Sequence, residues 1–128
     1  MTLLHVHDLC VSFATLRGRI RAVDGAELTV EPGQVLGLAG ESACGKTTCA
    51  LSIVKLLPTN ASIDRGTIVF NGEDIVKKTE EQMRKLRWKS ISIVFQGAMN
   101  ALNPVATVER QIAEAIVVHE KTSRLLAL

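Results

Sequence analysis

The stretch Gly40-Glu41-Ser42-Ala43-Cys44-Gly45-Lys46-Thr47 decides the fold of this chain. It fits the pattern G-x-x-x-x-G-K-[ST], in which backbone N–H groups cradle phosphate oxygens. Glycine at position 40 permits a sharp turn at the end of a strand. The N–H groups of Ala43 to Thr48 are predicted to form a nest at the start of a helix, where the helix dipole favours an anion. Lys46 adds a positive charge for the β- and γ-phosphates, and the hydroxyl of Thr47 is an oxygen ligand suited to Mg²⁺. The predicted binding residues are Gly40, Glu41, Ser42, Ala43, Cys44, Gly45, Lys46, Thr47 and Thr48.

The segments on either side predict a strand before this loop and a helix after it. Residues 34–39, QVLGLA, form a nearly continuous apolar run, which is typical of a strand buried on both faces of a parallel sheet. After the loop, apolar residues at helical spacing predict a helix from Lys46 to Leu57, and Pro58 would end it. The segment 34–57 is therefore predicted to form the strand and helix of an α/β core.

The preceding residues predict an antiparallel β layer over about residues 3–33. Leu3–Phe13 has the composition of one long strand, and Ile20–Val23 and Ala26–Val30 read as two short ones. Asp24-Gly25 between them is a strong turn signal. Short strands joined by tight turns indicate antiparallel pairing.

Two histidines lie in the first of these strands. His5 and His7 share the parity of Leu3, Leu9 and Val11, so strict alternation places them all on one face. A metal site at the two histidines is the alternative to ordinary strand residues, since imidazole is a common metal ligand.

Downstream, strands and helices continue to alternate. Gly66–Phe70 is predicted to be a strand that ends at an Asn71-Gly72 turn. Thr79–Lys89 is predicted to be an exposed helix whose acidic start and basic end suit the helix dipole, and a partner-docking surface is the alternative for its basic end. A further buried strand is predicted at about residues 90–96, and a helical region from about 105–128.

Composition bounds the class of protein. The chain has 128 residues, of which 47% are hydrophobic and 22% charged, as in a globular domain with a sizeable core. The net charge of +2 is too small to indicate nucleic acid as a partner. Three cysteines without paired spacing indicate free thiols and a reducing compartment. We find no secretory signal and no apolar run near the ~20 residues of a membrane span, so we expect a soluble, cytoplasmic protein.

Several further stretches extend the similarity beyond the loop. They are Leu9–Phe13, Ala22–Gly25, Leu36–Ser42, Ala50–Ile53, Ile93–Gln96, Ala101–Pro104, Thr107-Val108 and Gln111-Ile112. On these residues, from about Leu4 to His119, the chain resembles the front part of the nucleotide-binding subunit of ABC transporters. More narrowly, it looks like the ATP-binding subunits of dipeptide, oligopeptide and nickel importers.

This resemblance implies a P-loop NTPase core of parallel strands and helices beside the antiparallel layer, with ATP and Mg²⁺ as cofactors. It places Phe13 where the family stacks an aromatic ring on adenine, and a core phenylalanine is the alternative. Gln96 looks like the Q-loop glutamine, which contacts Mg²⁺ and the attacking water in the family. The implied catalytic residues are Lys46 and Gln96, and the implied metal ligands are Thr47 and Gln96. The implied partners are transmembrane permease subunits and a second ATP-binding subunit, at the inner face of the cell membrane.

Some family elements are missing from the sequence. It contains no run of four apolar residues followed by Asp-Glu, no Leu-Ser-Gly-Gly-Gln signature and no switch histidine, so we expect a truncated subunit. Inside the motifs, Ala43 stands where the family has glycine, and Gly97-Ala98-Met99 replaces Asp-Pro-Met. The expected function is ATP binding, with hydrolysis that powers import of peptides or a related small solute in the complete subunit. The alternatives are a non-catalytic nucleotide-binding fragment and a small-molecule P-loop kinase.

Overall fold

A four-stranded antiparallel sheet dominates the computed structural model, which describes residues 2–95, 97 and 102–120. Its strands are β1 (Leu4–Thr15), β2 (Gly18–Val30), β3 (Ala61–Phe70) and β4 (Glu73–Asp74), in the order β2-β1-β3-β4. The expected antiparallel β layer is therefore present: β1 and β2 lie within residues 3–33, and β3 and β4 extend the sheet beyond them. The structure divides between Met83 and Arg84 into two compact units, of which the first contains this sheet.

The predicted turn at Asp24-Gly25 is wrong, because β2 runs through it as one strand. Val11 pairs with Val23 and Leu9 with Ala26, so one extra residue of β2 bulges out at this point. Gly25 takes a φ of 64°, which glycine adopts without strain. The Asp-Gly signal thus marks a β-bulge here. By contrast, the Asn71-Gly72 turn is confirmed, since it joins β3 to β4 with positive φ at both residues.

A second bulge, at Asp8, changes which side chains of β1 share a face. Between the pairs His7–Thr67 and Cys10–Arg65, two residues of β1 lie opposite Gly66 alone, and Asp8 has a φ of 47°. The alternation of side chains therefore shifts by one. Before the bulge Val6 is buried; after it Leu9 and Val11 are buried.

His5 and His7 consequently point away from the buried side, and the predicted shared face is wrong. Both are exposed, and His7 Nδ1 lies 3.1 Å from a carboxylate oxygen of Glu27. Within the described ranges no group of three or more potential His, Cys, Asp or Glu ligands could hold a metal ion. The structure thus gives no support to the metal alternative at this strand.

The first helix, α1 (Lys46–Ile53), packs against β1 and β2. It ends earlier than the predicted Leu57, and Pro58 does not stop it. Lys55 takes a left-handed φ of 51°, its N–H donates to the Ser52 carbonyl, and the N–H of Leu56 donates to the Leu51 carbonyl. These bonds form a Schellman motif, which closes the helix with its own backbone.

The second helix, α2 (Glu80–Leu86), begins one residue after the start of the predicted helix and ends three residues before the predicted Lys89. The Gln82 N–H donates to the Thr79 hydroxyl at 3.3 Å, and the Thr79 N–H donates to the Gln82 side-chain oxygen at 2.8 Å. This reciprocal capping box satisfies two N–H groups that the helix leaves without acceptors. Met83 is fully buried and anchors the helix.

In the second unit the main element is α3 (Val108–Glu120), which falls within the helical region expected at 105–128. Ala113 is its buried residue. The ring of Trp88 stacks on His119, with ring centroids 5.1 Å apart. The expected region also includes residues 121–128, which lie outside the described residues.

The two apolar runs predicted to be buried parallel strands are not strands in this structure. Residues 34–40 have no regular secondary structure, and Val35 is 95% exposed. Ser92–Phe95 is likewise irregular, and Val94 is 88% exposed. A strand forms only against a hydrogen-bonded neighbour. Among the described residues the first run pairs with no strand, and the second makes only an isolated bridge, between Ile91 and Arg87.

We predict that Gly66→Ala destabilises the chain far more than Gly18→Ala. Both glycines have left-handed φ, 103° and 119°, which alone costs alanine about 1–2 kcal/mol. A Cβ at Gly66 would also lie 2.5 Å from the Asp8 carbonyl oxygen and 2.7 Å from Leu9 Cα, whereas Gly18 faces open space. We therefore expect about 3 kcal/mol or more for Gly66→Ala and about 1 kcal/mol for Gly18→Ala, measured by urea denaturation. Equal losses in the two variants would contradict the bulge packing.

Candidate phosphate-binding site

Gly45 seats the glycine-rich loop on the sheet. It is the N-cap of α1, with a left-handed φ of 93°. A Cβ at this position would lie 2.4 Å from the backbone oxygen of Ala22 and 3.4 Å from a methyl group of Val23. Because backbone atoms of β2 fill this space, only glycine fits. The loop therefore begins α1 directly against β2.

Ala43 adopts the conformation that glycine prefers. Its φ is 62°, in the left-handed region, where an L-residue with a side chain loses roughly 1–2 kcal/mol. The backbone therefore has a positive φ at the position where alanine replaces the glycine of the family. The loop keeps its shape at this residue at the expense of local strain.

The side chain of Lys46 closes the loop on itself. Its ammonium group donates to the carbonyl oxygen of Gly40 at 2.8 Å and to that of Glu41 at 2.6 Å. It also donates to the Cys44 sulfur at 3.2 Å. One cation thus ties the start of the loop to its middle, and its charge lies inside the loop.

Cys44 is exposed but chemically perturbed. The hydrogen bond from Lys46 lowers the pKa of this thiol, and backbone N–H groups of Lys46 and Cys44 lower the pKa further. A Cβ at Gly40 would lie 2.7 Å from the Cys44 sulfur. Gly40 therefore makes room for this side chain, whereas its predicted role at the end of a strand is not realised, since no strand precedes it.

These residues line a cavity of about 270 Å³. Its walls are Ala22, Ala43, Cys44, Gly45, Lys46, Thr47 and Thr48. The structure thus brings six of the nine predicted loop residues together; the other three, Gly40, Glu41 and Ser42, are exposed and do not line the cavity. The sequence did not predict Ala22 as a site residue. Its backbone carbonyl lies beside Gly45, and no local pattern around residue 22 indicates this contact.

Two other predicted site residues stand apart from the loop. Phe13 is half-buried in β1, where it pairs with Ile20 on one side and Ala61 on the other. It does not line the cavity. Gln96 lies outside the described residues, so its predicted role stays a prediction.

A glycine-rich loop that begins a helix, encloses a lysine and offers a threonine hydroxyl belongs to the P-loop class of phosphate-binding sites. The sequence profile of the ABC transporter family matches residues 23–127, most of the chain. The chain belongs to the ABC transporter family.

Individual relatives agree with this assignment. The chain is 43% identical over 98% of its length to a "probable peptide ABC transporter ATP-binding protein" of Sinorhizobium fredii, and covers 38% of that protein. It is 39% identical to an oligopeptide transport ATP-binding protein of Bacillus subtilis, with 95% of this chain and 34% of the relative covered. A dipeptide transport ATP-binding protein of the same organism is also 39% identical, with coverage of 97% and 37%. The chain thus spans well under half the length of these relatives. None of the helices in the described ranges is long and apolar enough to cross a membrane.

We predict that Cys44 reacts with iodoacetamide at a lower pH than an ordinary thiol, because the Lys46 ammonium favours the thiolate. In Lys46→Met the pKa rises toward its usual value, so the midpoint of the pH–rate profile moves to higher pH. Mass spectrometry of each cysteine measures this, with buried Cys49, whose pKa burial raises, as the unreactive internal control. An unchanged midpoint in Lys46→Met would contradict the contact.

Proposed function

We propose that this chain binds Mg²⁺-ATP at the loop Gly40–Thr48. A subunit with the full length of the relatives would use ATP hydrolysis to power import of peptides or a related small solute. The observation that carries the proposal is the ammonium group of Lys46, which bonds to two carbonyl oxygens of the loop beside a cavity at the start of α1. We infer that the bound nucleotide is ATP because the chain belongs to the ABC transporter family.

The loop has the donors that phosphate needs. The first N–H groups of α1 have no acceptor within the helix and are available to an anion. The Lys46 ammonium group donates to two neutral carbonyl oxygens. A negatively charged phosphate oxygen is a stronger acceptor and can replace them. Binding would thus exchange bonds within the loop for charge-assisted bonds to the nucleotide.

Other predicted site residues offer groups for Mg²⁺ and for the adenine ring of ATP. The Thr47 hydroxyl is a hard oxygen at the mouth of the loop, and Gln96 would be the second protein ligand. When bound, Mg²⁺ supplies positive charge that neutralises the phosphates. Phe13 would offer its ring to adenine. Lys46 would stabilise charge on the phosphoryl group in the complete subunit.

The transport role rests on the relatives. The three relatives described above are named as peptide, oligopeptide and dipeptide transport ATP-binding proteins. We propose that this chain works with transmembrane permease subunits and a second ATP-binding subunit, on the cytoplasmic face of the membrane. The small net charge agrees with the absence of nucleic acid from this set of partners.

A second function, nucleotide binding without catalysis, is favoured by one observation. The sequence lacks the acidic and signature motifs, and the carboxylate that positions water is needed for hydrolysis. This function is proposed for the 128-residue chain alone, whereas hydrolysis and import are proposed for a subunit with the full length of the relatives.

The proposed function predicts saturable ATP binding that depends on Lys46. Lys46→Ala should weaken binding about tenfold or more, because a charge-assisted bond to phosphate is lost. Lys77→Ala is the matched control, since Lys77 is 81% exposed and lies on another loop. Isothermal titration calorimetry with Mg²⁺-ATP measures both variants. Equal affinity in the two would overturn the assignment of the site.

Turnover distinguishes the two functions. We expect the purified 128-residue chain to release no phosphate above the rate of Lys46→Ala, because no acidic residue of the missing motif is present to position water. A coupled phosphate-release assay tests this. Lys46-dependent turnover by the chain alone would show that hydrolysis does not need the missing motifs.

A further inference from the structure

A second cavity, of about 500 Å³, lies at the start of α3 and shares no residue with the phosphate loop. It is lined by Asn103, Val105, Ala106, Arg110, Gln111 and Glu114, all within the second unit. This volume is in the range of small-ligand sites, which run from ~300 to ~1,000 Å³.

The rim of this cavity is held rigid by one side chain. The Gln111 amide nitrogen donates to the backbone oxygens of Ala106, at 2.9 Å, and Asn103, at 3.2 Å, and its oxygen accepts from the Asn103 N–H at 2.9 Å. The Asn103 side-chain oxygen in turn accepts from the Val105 N–H at 3.1 Å. The loop before α3 is therefore fixed in shape, and a preformed site binds with less loss of entropy.

Three polar groups of the lining are unused. Within the part of the chain that the structure describes, the Arg110 guanidinium, the Glu114 carboxylate and the side-chain nitrogen of Asn103 make no hydrogen bond or ion pair. Arg110 and Glu114 are one helical turn apart, so their Cβ atoms lie about 5–6 Å from each other on one face. The cavity thus presents a positive and a negative group side by side, next to the apolar Val105 and Ala106.

We propose that this cavity binds a short peptide as its zwitterion. The peptide carboxylate would accept from Arg110 and from the Asn103 side-chain nitrogen, and the peptide ammonium would donate to Glu114. An extended dipeptide spans about 7 Å, close to the Cβ separation of Arg110 and Glu114, whereas the charges of a single amino acid lie closer together. Val105 and Ala106 contact its side chains.

This site gives free peptide a means to act on the subunit that would power peptide import. That consequence rests on the proposed function, but the binding itself does not. The experiment is an amide NMR titration of the 128-residue chain with alanyl-alanine. We expect saturable shifts at Val105, Ala106 and Arg110 with a dissociation constant of about 1 mM, as suits a ligand of this size.

Blocked peptide tests the recognition of both charges. N-acetyl-alanyl-alanine amide should leave the shifts of these residues unchanged, and free alanine should bind more weakly than the dipeptide. The absence of saturable shifts up to the solubility of alanyl-alanine would overturn the proposal. Equal binding of the blocked peptide would overturn it as well.

Variants test the two charged groups. Arg110→Gln and Glu114→Gln should each weaken dipeptide binding about tenfold. Glu109→Gln, the same change on the same helix but outside the lining, should have no effect. ATP titrations of these variants keep the two sites separate: dipeptide binding without ATP binding would refute the proposed function alone, and ATP binding without dipeptide binding would refute this inference alone.

Discussion

The close approach of Gly45 to the backbone oxygen of Ala22 is the constraint on which the candidate phosphate site depends. At 2.4 Å from where a Cβ would stand, this oxygen excludes every residue but glycine. Gly45 also takes the left-handed φ with which α1 begins. One contact therefore sets both the position of the loop on the sheet and the direction in which the helix N–H groups point.

Within that frame the loop is organised around a single charge. The Lys46 ammonium group draws in two carbonyl oxygens and the Cys44 sulfur, and Gly40 leaves the space that the sulfur occupies. Ala43 holds its left-handed backbone at a cost. The loop is thus preformed around a cation, and an anion can take the place of the two neutral carbonyl oxygens, which is the electrostatic change that phosphate binding requires.

Sequence reasoning located the loop, the family and the antiparallel layer, because these features depend on local pattern: glycine and lysine spacing, alternation and turn residues. It failed where distant contacts decide. The Asp8 bulge reverses the parity of β1 only because Gly66 lies opposite it. The apolar runs at 34–39 and 91–95 look like buried strands, yet strand formation needs neighbours that the pattern of one segment does not reveal. The close approach of Gly45 to Ala22 likewise joins two distant segments, so the pattern of neither segment reveals it.

Whether the loop is a phosphate cradle can be measured on the backbone amide NMR signals of Ala43–Thr48 when Mg²⁺-ATP is added. We expect these N–H groups to show the largest saturable shifts in the chain, since they would donate to the phosphates. Adenosine, which has no phosphate, should leave them unchanged. Saturable shifts confined to residues outside Gly40–Thr48, or equal shifts with adenosine, would contradict this expectation.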